Sequence, residues 1–123
     1  MNNKKYVIIG ESRYERSTVT EIVVPEGITN LSDSLFMNCK QLRTIILPSS
    51  LYSVGSETFK NCCSIKFLHL PNVTKFGAFA FMNCKNLELI TFNTSSFLGF
   101  GCFEGCKKLK HIDASHHWRI TVK

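Results

Sequence analysis

The sequence predicts a repeat solenoid, with a parallel sheet of about five short strands along one face and short helical turns along the other. Three observations predict it. A Phe-x-x-Cys unit recurs as Phe36–Cys39, Phe59–Cys62, Phe81–Cys84 and Phe103–Cys106, at intervals of 23, 22 and 22 residues. Aliphatic columns run in phase with it: Leu42, Ile65, Leu87 and Leu109, then Ile45, Leu68, Ile90 and Ile112, with Ile22 ahead of the first. Pro25, Pro48 and Pro71 form a third kind of column, and Gly55, Gly77 and Gly99 a fourth. Self-similarity at a fixed period marks stacked units that cannot bury an apolar face singly.

Each element follows from a column. Residues 1–18 precede the first clear unit, and "KKYVIIG" is expected to cap the array as a strand or hairpin. The repeats occupy residues 19–114. Each begins with an alternating run such as Ile45-Ile46-Leu47, where Ile45 and Leu47 face the core and Ile46 faces out. Pro48 then stops the strand, because it has no N–H for a ladder. "GSETFKNC" reads as a turn and a short helical piece, with Gly55 supplying a bend at positive φ and Phe59 filling the interior. Asn38, Asn61, Asn83 and Gly105 share the place before each Cys. Asn and Gly tolerate the left-handed region, so a helix-ending turn is expected there. Solenoid ends need covers. Residues 115–123, which include "HHWRITVK", alternate Trp118, Ile120 and Val122 and are expected to form a C-terminal capping strand.

The stretches "LRTIILPSSLYSVGSETFKNC" (42–62) and "IKFLHLPNVTKFGAFAFMNC" (65–84) resemble the BspA-type leucine-rich repeat. The resemblance covers residues 19 to 114, and it implies a leucine-rich-repeat solenoid that binds proteins. It further implies kinship with surface molecules of mucosal bacteria and protozoan parasites, some of which adhere to host matrix proteins.

Composition narrows the function. The 123-residue chain carries a net charge of +6, which favours acidic partners without specifying nucleic acid. Neither a recognition helix nor an aromatic RNA motif accompanies the charge, so a nucleic-acid partner is not expected. No apolar run approaches the length of a membrane span, and Tyr6–Ile9 is too short for a secretory leader. The absence of a leader points to the cytoplasm, whereas the resemblance points to the cell surface. Sequons at Asn30, Asn72 and Asn93 bear on the second setting alone.

Chemistry is poorly supported. Cys39, Cys62, Cys84 and Cys106 read as a ladder of buried thiols, since in-register neighbours point their Cβ atoms in parallel and not toward each other. Their spacings lack the Cys-x-x-Cys pairs of a zinc site. Cys63 takes the place of Lys40, Lys85 and Lys107 and is the thiol expected nearest to solvent. His111, His116 and His117 have no acidic or Cys ligands spaced around them. The nine carboxylates are scattered, and no nucleophile–base set or phosphate-cradling loop occurs. No enzyme, metal or cofactor is therefore expected.

Binding remains. Val23, Ile46, His69 and Thr91 occupy one outward column of the sheet, and Phe67, Leu89 and His111 another. The repeat pattern commonly places Ser, Thr or charge there, so Val23, Ile46, Phe67 and Leu89 stand out. These seven residues are the expected partner-binding set, with Phe67 as the aromatic anchor, and the stripe also offers a homodimer interface. Three roles follow: a protein-binding module with adhesin-like display, an intracellular scaffold or regulatory subunit, and polyanion binding by the basic C-terminal end, Lys107 to Lys123.

Overall fold

The computed structural model describes residues 6–8, 14–92 and 95–113. Ten strands follow the chain: β1 (Tyr6–Ile8), β2 (Glu21–Val23), β3 (Asn30–Leu31), β4 (Thr44–Ile46), β5 (Ser53–Val54), β6 (Phe67–Leu70), β7 (Lys75–Phe76), β8 (Leu89–Phe92), β9 (Phe97–Leu98) and β10 (His111–Asp113). Every pair is parallel. The solenoid is as expected, but the strands form three sheets in place of one. The broad face holds β1-β2-β4 and β6-β8-β10, and a second face holds the four two-residue strands β3-β5-β7-β9. The predicted capping strand at 115–123 lies outside the described residues.

The broad face follows the alternation in the sequence. Ile22, Leu68, Leu70, Ile90 and Phe92 are buried, whereas Phe67 and His69 are exposed. Leu31, Val54 and Phe76 bury the inner side of the second sheet. Between the sheets runs a spine of rings. Phe59 and Phe81 stack with centroids 5.4 Å apart, and Phe81 and Phe103 at 5.6 Å. Phe36 closes the spine at 5.5 Å from Phe59.

The expected helical turns are absent: no described residue is helical. The reason is where the N–H groups point. A helix satisfies its N–H groups internally. Here alternate residues donate to the next coil: Ser34, Phe36 and Asn38 to the carbonyls of Ser56, Thr58 and Lys60, at 2.8–2.9 Å. The residues between donate within the coil, as Met37 does to Ser34 and Cys39 to Phe36. This alternation needs two left-handed residues per coil. One is the expected column, with φ of 68° at Asn38, 65° at Asn61, 61° at Asn83 and 81° at Gly105. The other is Ser34, Glu57, Phe79 and Gly101, which share no chemistry that would mark them in the sequence. Asn61 Nδ2 donates to Asn38 Oδ1 at 2.8 Å, and Asn83 Nδ2 to Asn61 Oδ1 at 3.2 Å, so the first column doubles as a side-chain ladder.

The glycine column also has a different basis from the one expected. Among the described glycines, positive φ is confined to Gly27, Gly101 and Gly105, so Gly55 does not supply a left-handed bend. Close approach explains the column instead. A Cβ on Gly77 would lie 2.4 Å from the Ser56 nitrogen, and one on Gly99 2.5 Å from the Gly77 carbonyl carbon.

At the leading end of the turn ladder, two side chains replace a preceding coil. Arg16 Nη1 donates to the carbonyls of Ser34, Leu35 and Met37 at 3.1, 3.1 and 2.8 Å, and Tyr14 Oη donates to Leu35 at 2.7 Å.

The Cys column is buried, and all six cysteines are free thiols, Cys63 alone being half-buried. The Sγ atoms of Cys62, Cys84 and Cys106 donate to the carbonyls of Phe36, Phe59 and Phe81 at 3.0–3.2 Å. Burial pushes the Cys39 thiol up from 9.0 to about 11 and Cys102 to about 12, and raises Cys62 further still. Stability carried by these protonated thiols is complete below pH 9. It is lost as pH rises from there toward 11–12, because the unfolded chain ionises first. Urea midpoints should fall steadily between about pH 9 and 11. A flat profile would show that the buried thiols titrate as they do in the unfolded chain, and that burial does not raise them.

Candidate functional site

The seven outward residues are positioned by three parallel pairings. In the β6–β8 pair Phe67 lies beside Leu89 and His69 beside Thr91, with a His69 Nδ1 to Thr91 Oγ1 hydrogen bond. His111 follows Leu89 across to β10. In the other sheet Val23 lies beside Ile46. Phe67 is 62% exposed and Ile46 50%, high values for large apolar side chains. Val23, Leu89 and Thr91 are half-buried, and His69 and His111 are exposed.

The outward column is interrupted between Ile46 and His69, because β4 and β6 are not hydrogen-bonded to each other. On either side the ladder is complete. Arg43 and Thr44 N–H groups donate to Thr20 O, and Glu88 and Leu89 N–H groups donate to Lys66 O. The equivalent bonds from Lys66 and Phe67 to Arg43 are missing. The same two coils stay joined beyond the gap, by Ser64 Oγ to Lys40 O at 2.7 Å and Asn72 Nδ2 to Ser49 O at 3.0 Å. The opening is therefore confined to the strands.

Its position coincides with a change in repeat length. In the first two units a turn closes from Ile28 to Pro25 and from Leu51 to Pro48. In the third it closes from Val73 to Leu70, one residue earlier. The 23-residue and 22-residue registers meet between β4 and β6.

The result is a groove of about 480 Å³ lined by Ile45, Ile46, Leu47, Phe67, Leu68, His69, Leu89 and Thr91. It adjoins a second hollow of about 290 Å³ under Pro48 and Pro71. Five of the seven expected residues thus surround one opening. Val23 lies one strand away in the first sheet, and His111 lies beside Leu89 on the far strand. Ile45, expected in the core, is only half-buried because it borders the gap.

Among the described residues no group of three or more His, Cys, Asp or Glu side chains is placed to hold a metal ion. No described helix is long and apolar enough to cross a membrane. His116, His117, Arg119 and Lys123 of the basic end lie outside the described residues.

A family model described as "BspA type Leucine rich repeat region" matches six copies across residues 7–121. That range enters both segments set apart above as caps. Three solved structures are similar. A leucine-rich repeat protein from Bacteroides ovatus shares 28% identity with a TM-score of 0.73, over 78% of this chain and 25% of that one. A leucine-rich repeat protein from T. pallidum shares 21% identity with a TM-score of 0.61, over 80% and 57%. A leucine-rich cell surface protein from Faecalibacterium prausnitzii also shares 21% with a TM-score of 0.61, over 82% and 34%. The chain thus spans between a quarter and somewhat over half of the length of these structures. No curated protein matches it.

Proposed function

The chain belongs to the BspA-type leucine-rich repeat family, and from that premise we propose a non-enzymatic module that binds another protein through its broad sheet face. The observation that carries this reading is the apolar groove, with Phe67 and Ile46 exposed on either side of it. Large apolar side chains gathered around one opening favour association with a partner. Phe67, Leu89 and Ile46 supply the apolar anchors, and His69, Thr91, His111 and Val23 supply the surrounding contacts.

Two settings compete for this role. Adhesin-like display at a cell surface draws on the family. An intracellular scaffold draws on the six free thiols, which a reducing compartment preserves. The same face also offers a homodimer contact.

Phe67→Ser/Leu89→Ser decides the reading. Both positions face outward, so the melting temperature should shift by only a few degrees, while captured partners fall by about tenfold or more. Sedimentation equilibrium of both proteins separates a self-interface, seen as a wild-type dimer that becomes monomeric in the variant. Undiminished capture together with an unchanged oligomeric state would end the proposal for this face.

A further inference from the structure

We infer that the groove between β4 and β6 receives an extended acidic segment of a partner protein. An apolar side chain of that segment seats between Ile46, Phe67 and Leu89, and its carboxylates lie on Arg43 and Lys66. This rests on the binding role proposed above and assigns the chemistry of the partner.

Charge complementarity selects the occupant. The coil segments that lead into the broad strands are "KQLR" (40–43), "CSIK" (63–66), "KNLE" (85–88) and "KKLK" (107–110). They hold seven cationic side chains and a single carboxylate, Glu88. Arg43 and Lys66 immediately precede β4 and β6, and so stand at the mouth of the groove, both exposed. Neither takes part in an ion pair: the one salt bridge among the described residues is Lys60–Glu57, on the turn side. Of the other carboxylates, Asp33, Glu57 and Glu104 lie in the turn segments, Glu21 stands on β2 beside Thr44, and Glu26 lines the adjoining hollow, where it accepts from Ser49. A predominantly basic ridge beside an apolar opening draws in acidic chains and fixes their orientation.

The backbone favours an extended chain. The N–H groups of Lys66 and Phe67 lack the ladder partner that their counterparts Glu88 and Leu89 have. Unpaired strand edges are a template for an added strand. A partner in extended form meets those groups while alternate side chains face the groove and the ridge.

The probe is a fluorescein-labelled nonapeptide with a central Leu flanked on both sides by alternating Asp and Ser, titrated by anisotropy into the full chain at low salt. Saturable binding should weaken roughly tenfold in Arg43→Glu/Lys66→Glu, and similarly when the central Leu of the peptide is replaced by Ser. A peptide with Lys in place of Asp should bind the double variant better than it binds the wild type. Ile46→Ser, on the opposite wall, checks the groove with an independent exposed substitution.

Three results would overturn the inference. One is no saturable binding up to about 1 mM. Another is binding that ignores Arg43, Lys66 and Ile46. The third is equal binding of an oligonucleotide of matching charge, insensitive to the groove variants, which would indicate a general polyanion surface. If the peptide fails while partner capture still depends on Phe67 and Leu89, the sheet-face role survives and only the acidic partner is lost. Failure of both removes both.

Discussion

Gly77→Ala is expected to cost about 3 kcal/mol or more, a large share of the stability of a small domain. The added methyl has no space to enter. It would lie 2.4 Å from the nitrogen of Ser56, 2.7 Å from the carbonyl carbon of Gly55 and 2.8 Å from the Ser56 Cα. All three are backbone atoms of the preceding coil, so no side-chain rotation relieves the clash. The coils must separate, and that pulls on the 2.8 Å bond from Gly77 N–H to Val54 O and on the ladder beyond it. Gly27→Ala is the matched control. Its Cβ would meet nothing within 4 Å, and only a φ of 100° opposes it. That cost should stay near 1 kcal/mol. Urea unfolding of both variants measures the difference. Equal losses would mean that backbone conformation, and not coil-to-coil distance, governs the glycine column.

Phe81→Ala should cost about 3–5 kcal/mol, the range for emptying a buried aromatic site. Phe81 has the fullest ring environment in the spine. Phe59 and Phe103 stack on its two faces at 7° and 8° interplanar angles, and Phe76 approaches at 54° with centroids 5.5 Å apart. Phe36 is equally buried but contacts only the ring of Phe59. Aromatic pairs add about 0.5–1.5 kcal/mol beyond burial. Phe36→Ala should therefore be milder than Phe81→Ala by at least 1 kcal/mol or so. Equal losses in urea titrations would show that stacking adds nothing to simple burial along this spine.

These contrasts also show which parts of the molecule were legible in the sequence. The strands were, because a two-residue alternation sits inside a 22- to 23-residue repeat, and stacking forces like positions side by side. Phe67 meets Leu89 for that reason, and the left-handed column at Asn38, Asn61 and Asn83 was marked by its exchange for Gly105. The turn segments were misjudged as helical. Phe and Cys three apart suit a helix, but N–H direction is decided by the neighbouring coil, which no local window contains. Gly55 misled in the same way, since glycine answers two needs, positive φ and close approach, with one letter. The shift from 23 to 22 residues was visible in the spacing, yet its consequence, a split between β4 and β6, depends on how two registers meet in space. Arg43 and Lys66 went unweighted because they matter only where the sheet opens. Tyr14 and Arg16 carry no periodic signal at all, so nothing in the sequence marked them as an end cover.

That end cover gives the molecule a front. Lateral bonds in the turn ladder all run one way, from the N–H of one coil to the carbonyl of the next. A bare leading coil would offer its carbonyls to the trailing coil of any other copy. Stacking of that kind never closes on itself and ends in a fibre. Arg16 and Tyr14 occupy two of those carbonyls, Leu35 and Met37, with side-chain donors. A second copy arriving there meets a guanidinium and a phenol where it would need an open acceptor row. The contacts of this cover reach only the leading coil, so they are independent of how many coils stack behind it.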